Sequence, residues 1–335
     1  MKNNALKVLS AVATAALGVS AIATSSSATS VHTKYYACSN ANGLSKVSVI
    51  AHACPKGTKA VQGKFAGADL SNVTLTGANL SGAFLKTTNL SGVISGKIIG
   101  TPAALPHGWH LVKGYLIGPS ANLSGADFTG ANLSGFNLMG DSLYRANLTN
   151  VNFSGANLVN ASLSKANITG TIFAGANLKG IITAYEVGTP ASLPTNWQLV
   201  DGNYEGTTVA YLIGPGASIG GAQLKGSVFS NLNLNGIYMA QGNLSGTTFA
   251  GATMTNAVVA SANLQNVDFS NGNFTGTNFS NADFEGANFT NANFTNANFN
   301  GARLLSVAGK NTANFTGAIC PDGVAFSQLG ENCNL

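Results

Sequence analysis

His107 and His110 stand three residues apart, a spacing at which two imidazoles can share one metal ion. No third ligand lies nearby, and a second copy of the same segment carries Thr195 and Gln198 at those places. Neither a metal site nor a cofactor is expected. The densest acids are Asp268, Asp283 and Glu285. A polysaccharide lyase or hydrolase would need such carboxylates, or a Lys/Arg base, converging in a groove. Serine is abundant, but no His/Asp partner and no G-x-S-x-G elbow accompanies it. No catalytic residue is assigned, and a carbohydrate-active enzyme is carried only as the alternative reading. The four cysteines form two close pairs, Cys38 with Cys54 and Cys320 with Cys333. A zinc site would need more thiolates or histidines at short spacing.

The elements that would position these groups repeat every five residues. From Phe65 the large apolar residues run Leu70, Leu75, Leu80, Leu85 and Leu90. The phase restarts at Leu123 and holds to Leu178, then starts again at Ile219 and holds to Leu304, giving about 36 repeats. Two positions before each large residue stands a small one, most often Ala, and the consensus is A-(N/D)-(L/F)-(S/T)-(G/N). Five residues match neither an α-helix, where they advance about 500°, nor a flat strand, where an odd period alternates faces. Only a chain that turns once per repeat keeps every Leu or Phe pointing the same way, with Gly or Asn tolerating the turn. One repeat buries about 1.5–3 kcal/mol of apolar side chain. Ordering its backbone costs roughly 5–10 kcal/mol, so it folds only when stacked on others.

This motif resembles the pentapeptide-repeat family. The resemblance implies an all-β fold, a right-handed quadrilateral parallel β-helix with four repeats per coil. About nine coils would make a rod on the order of 40 Å long. A coil of about twenty residues places Asp268 beside Asn288 rather than Asp283, so no carboxylate pair is expected. The consecutive Phe269, Phe274, Phe279, Phe284, Phe289, Phe294 and Phe299 are expected as aromatic columns inside the last coils.

Two interruptions are copies of each other, G-T-P-A-x-L-P … W-x-L-V … Y-L-I-G-P, at 95–120 and 183–216. The second has eight more residues before Tyr211. The unit resembles inserts of exported pentapeptide-repeat proteins. Its apolar run predicts a short hairpin or loop folded against the side of the rod. Trp109 and Trp197, the only Trp in the chain, either pin this loop to the wall or offer an aromatic contact.

The ends are expected to be closed, because a solenoid otherwise exposes unpaired strand edges. The segment 31–64 resembles a small module found before repeats in secreted bacterial proteins, and 319–335 is its expected C-terminal counterpart. Residues 1–28 have the layout of a secretory signal: Lys2 and Lys7, a small apolar run to Ala23, then small-x-small endings that place cleavage near 23 or 28. Export makes the even cysteine count read as disulfides. Three connectivities exist, and local pairing at each end is the economical one. No stable membrane insertion is expected.

Between 65 and 318 nine basic and nine acidic residues cancel, so no nucleic-acid partner is expected. Family members that imitate DNA with an acidic face and bind topoisomerases in the cytoplasm are likewise no guide to a neutral, exported rod. The expectation is a secreted or cell-surface scaffold without catalysis, contacting a wall polymer or a surface protein through its polar faces or its inserts.

Overall fold

The computed structural model describes residues 36–39, 48–50, 59–61, 65 and 67–325. The proposed leader, Cys54 and Cys333 lie outside these residues. Three short strands, β1 (Tyr36–Ser39), β2 (Ser48–Ile50) and β3 (Lys59–Val61), form an antiparallel sheet in the order β2-β1-β3. Cys38 is on the central strand, opposite Ser48 and Ala60.

From Phe65 the chain coils. Parallel bridges link residues twenty apart, as in Asp127, Asn147 and Asn167, so four repeats complete one coil and each residue of the repeat forms a column along the rod. The repeat around Phe153 shows why the consensus takes its form. Asn152 N–H donates to Ala131 of the coil below, and Phe153 and Gly155 N–H donate to Ile172 and Ala174 of the coil above, at 2.8–3.0 Å. Ala156 N–H closes the turn on Phe153 carbonyl at 2.9 Å. The remaining amide, Ser154 N–H, donates to Asn152 Oδ1 at 2.9 Å. All five backbone donors are therefore satisfied, one of them only because an Asn or Asp precedes the large residue. The turn residue Gly155 has φ 64°, the left-handed conformation that Gly and Asn tolerate.

The same chemistry consumes the polar rows. Asn Oδ1 groups accept within their own turn, while Asn157 Nδ2 donates to Asn137 Oδ1 and Asn288 Nδ2 to Asp268 Oδ1, both at 3.0 Å. Inside, Leu and Phe stack with the small residue beside them. Phe229, Phe249 and Phe269 stack at 5.1 and 5.6 Å, and Phe274, Phe294 and Phe315 at 5.2 and 5.4 Å. Phe269 and Phe289 meet edge-on instead, at 75°, so the column is not uniformly parallel.

The coil continues further than the Leu/Phe phase does. Ile99 and Ala104 still bridge to Asn79 and Phe84, and Val187 and Ser192 to Asn167 and Ile172. Pro and Gly of G-T-P-A are thus accommodated in the coil, and the chain departs only at Leu-Pro. Each copy then forms a hairpin: β4 (His110–Val112) with β5 (Tyr115–Ile117), and β6 (Gln198–Tyr204) with β7 (Thr207–Ile213).

Neither hairpin lies against the side of the rod. On β5, Leu116 joins the core of residues 65–93, whereas its neighbour Ile117 joins that of residues 121–181. On β7, Leu212 joins the middle core, and Tyr211 and Ile213 the core that runs to Ala318. Adjacent side chains on a strand point to opposite faces, so a hairpin wedged between coils can seal both. Each insert therefore divides the interior into successive cores and joins them. Across each hairpin the coils stay bridged through Ile94–Asn122 and Ile182–Ser218, with Gly92 and Gly180 N–H donating to Ser120 and Gly216 at the turn before.

Candidate functional site

The two hairpins are the largest breaks in the period of the rod, which otherwise slips by one residue between Ala308 and Asn314, and their matching residues make matching contacts. Tyr115 Oη accepts from Asp127 N–H and Tyr211 Oη from Gln223 N–H, both at 3.3 Å. Trp109 and Trp197 are half-buried, and each packs against the cores on both sides of its hairpin. Each indole lies on a glycine of Y-L-I-G-P, Gly118 or Gly214. His110 stacks on Phe136 at 4.0 Å, while His107 is exposed.

The turns explain the difference in length. Lys113-Gly114 and Glu205-Gly206 both have positive φ at the two central residues, the type I′ geometry that suits a two-residue hairpin. The eight extra residues move this turn outward by four residues on each strand. The longer hairpin carries an exposed tip, Asn203 to Thr208, with Tyr204 on it. Lys-Gly between Leu-Val and Tyr-Leu-Ile is a signal that could have located the first turn, whereas Glu-Gly among Asn, Tyr and Thr is a weaker one.

Beside the second hairpin one corner of the rod differs from the others. Arg145, Lys165 and Tyr185 occupy the left-handed turn position in three successive coils, with φ of 57°, 62° and 62°. Arg145 Cζ lies 5.1 Å from the Tyr144 ring centre, and Lys165 Nζ lies 5.9 Å from Tyr144 and 5.6 Å from Tyr185. Tyr185 meets Tyr204 edge-on at 5.6 Å. The twenty-residue spacing of 145, 165 and 185 is the signal that reveals this corner.

Two carboxyls are buried where sequence reasoning does not look. Asp141 replaces the small inward residue two places before Leu143 and is 1 % exposed. Its Oδ1 accepts from Ala121 N–H at 3.0 Å, its Oδ2 has no partner, and burial pushes its pKa up to about 8. Glu186 stands where the first copy has Ile98. Its Oε1 accepts from Ala184 N–H at 2.8 Å, Oε2 has no partner, and burial again raises the pKa to about 8. An acid at an Ala or Ile position is the signal for both.

Of the acids singled out in the sequence, Asp283 and Glu285 meet on one guanidinium and Asp268 stands apart. Asp268 bonds Asn288, while Asp283 and Glu285 are both paired with Arg303, at 3.2 and 2.6 Å. The ladder residues Leu70, Leu75, Leu80 and Phe269 to Phe299 are buried. Cys320 is buried as well, and its amide donates to Val324 carbonyl in the closing turn of the described chain.

A model of pentapeptide repeats matches residues 60–92, 120–140 and 142–181 in eight copies, and one of a pentapeptide repeat region matches 222–299. The unmatched stretches between them contain the two hairpins. No curated protein matches. Among solved structures, the chain is similar to HetL, a pentapeptide repeat protein involved in heterocyst differentiation regulation from the cyanobacterium Nostoc sp. That match has 21% identity and a TM-score of 0.34, over 78% of this chain and 92% of HetL. It is also similar to QnrB1, a plasmid-mediated fluoroquinolone resistance protein, at 14% identity and TM-score 0.23 over 59% of this chain and 82% of the other. A pentapeptide repeat protein from the Arabidopsis thaliana thylakoid lumen matches at 21% identity and TM-score 0.12, over 41% and 66%. The five-residue consensus, the twenty-residue bridge spacing and two family models that together cover just over half of the sequence agree: the chain belongs to the pentapeptide repeat family.

Proposed function

We propose that this protein is an exported, non-catalytic scaffold that holds a cell-wall polymer or surface protein through its inserts. The observation that carries this reading is the wedging of both hairpins between cores, which fixes their exposed residues, Lys113 on the first and the tip Asn203 to Thr208 on the second, rigidly to the rod. Binding groups on rigid elements lose little conformational freedom when a partner arrives. The polar faces are the weaker candidates, because their Asn and Thr groups already bond one another within and between coils. Export is supported by the leader-like residues 1–28 and by the even cysteine count. In this reading Cys38–Cys54 and Cys320–Cys333 close the two ends as disulfides, and the coil has the right-handed sense of its family. Each local loop would stabilise by about 3 kcal/mol in the chain-entropy model.

The test is retention of the purified full chain on cell-wall and polysaccharide fractions, with the soluble phase assayed for cleavage products. Retention without products supports the scaffold. Turnover, or no retention on any fraction, overturns it. Trp109→Ala and Trp197→Ala, compared at equal folded fraction, then report whether the half-buried indoles contribute to the contact.

A further inference from the structure

We propose that the corner formed by Tyr144, Arg145, Lys165, Tyr185 and Tyr204 binds an acidic polysaccharide, which deepens the scaffold reading and rests on it. The turn position of the repeat is filled by Gly or Asn almost throughout. Outside the hairpin turns, the charged or aromatic residues with positive φ among the described residues are Lys97, Arg145, Lys165 and Tyr185. All four share one corner of the rod. Bulky side chains in left-handed backbone are strained, and such strain is concentrated where a side chain is needed for binding.

What they display is a ladder of alternating cations and rings. Arg145 and Lys165 are exposed; Arg145 lies 5.1 Å from the ring of its chain neighbour Tyr144, and Lys165 bridges the coils, 5.9 Å from Tyr144 and 5.6 Å from Tyr185. Tyr204 extends the ladder from the hairpin tip and is 42% exposed. Neither cation is neutralised. Among the described residues, ion pairs are made by Arg303 alone. Of the acids close in sequence, Asp141 and Glu186 are buried and face inward, while Asp201 and Glu205 of the longer hairpin are in solvent. Strand alternation puts Asp201 on the face opposite Tyr204, so Glu205 is the one acid whose charge reaches Tyr185. The rod is neutral as a whole, so this edge is a local positive feature rather than part of a basic surface.

A uronic-acid chain matches these groups. The C–H face of a pyranose ring packs on Tyr144, Tyr185 or Tyr204, the tyrosine hydroxyls reach sugar hydroxyls, and the carboxylate of each sugar meets Arg145 or Lys165. A nucleic-acid backbone fits less well. Two or three cations along one narrow edge would neutralise few phosphates and give little of the affinity that such binding draws from counterion release.

The experiment is affinity electrophoresis of the full chain in gels containing polygalacturonate, dextran or single-stranded DNA. Polygalacturonate is expected to retard the protein, with dextran and DNA much weaker. The double variant R145G/K165G puts the consensus glycine back at both positions, so it should melt at or above the parent temperature while losing at least tenfold in affinity. Y204A should weaken binding severalfold. Equal retardation of R145G/K165G and parent, equal retardation by dextran, or tighter binding to DNA would each overturn the proposal. No retardation by polygalacturonate while the wall fraction still retains the chain sinks this corner alone. Failure of both sinks the scaffold reading as well.

Discussion

The indole of Trp109 lies flat on Gly118, close enough that a Cβ on that glycine would fall 2.4 Å from Trp109 Cδ2. Trp197 and Gly214 repeat the contact at the same 2.4 Å. The glycine of Y-L-I-G-P is therefore required for close approach and not for backbone freedom, since neither residue has positive φ. Gly118→Ala or Gly214→Ala must push the indole out of the seam between two cores. A loss of about 1–3 kcal/mol is expected, the usual cost of overpacking. Urea unfolding measures it. Because these are the only two Trp residues, a red shift of tryptophan emission should accompany it.

Asp141 makes stability depend on pH in an unusual direction. Its carboxyl titrates near 3.8 when unfolded and at about 8 when folded. Between those values the folded chain holds a proton that the unfolded chain has released, so stability falls as pH rises and levels off above about 8. Glu186, raised from 4.5 to about 8, adds a second term of the same sign. Asp141→Asn keeps an oxygen for Ala121 N–H and carries no charge. It should gain about 1–3 kcal/mol at pH 8 and nothing at pH 4, flattening the profile. Urea midpoints at the two pH values decide this. A gain equal at both would show that ionisation is not the cause.

Phe279 is fully buried and stacks on Phe299 at 5.4 Å, with Phe284 edge-on at 5.3 Å. Phe279→Ala should cost about 3–5 kcal/mol through the cavity it leaves. Coils contact only their neighbours, so the damage should stay in the C-terminal core. Amide exchange is expected to accelerate around residues 254–304 and to remain unchanged around 123–178.

The Leu/Phe ladder and the Asn turns are legible in the sequence because one residue in every five repeats the same burial or the same hydrogen bond. The twenty-residue coil comes from family resemblance, and once it is applied, Asp268 beside Asn288 follows directly. The seating of the hairpins is not legible. Trp109, Leu116 and Ile117 read as an apolar run in either arrangement, and whether that run lies beside the rod or between its coils depends on which cores need sealing. Asp141 was readable as an acid at an Ala position. The corner of Arg145, Lys165 and Tyr185 emerges only when the twenty-residue register is applied to the basic and aromatic residues.

The two inserts also predict each other's structure. Removing residues 203–210 from the second leaves Val200-Asp201-Gly202-Tyr211, which matches Val112-Lys113-Gly114-Tyr115 of the first, with Asp-Gly as a good type I′ turn. The deletion takes away Ala210, whose carbonyl accepts from Glu186 N–H at 3.3 Å. In the first insert the equivalent Ile98 N–H donates instead to Gly114 carbonyl at 3.1 Å, so Glu186→Ile completes the exchange and removes a buried carboxyl. The combined variant should fold, keep Trp197 packed on Gly214, and melt within a few degrees of the parent. It should also lose the Tyr204 contribution to polygalacturonate retardation, because the tip that carries this ring is gone. A variant that folds and binds as the parent does would confine recognition to Arg145, Lys165 and the two coil tyrosines. One that fails to fold would mean the longer hairpin is itself part of the seal between the middle and C-terminal cores, a role that Val209, 7% exposed in the C-terminal core, would then have to fill.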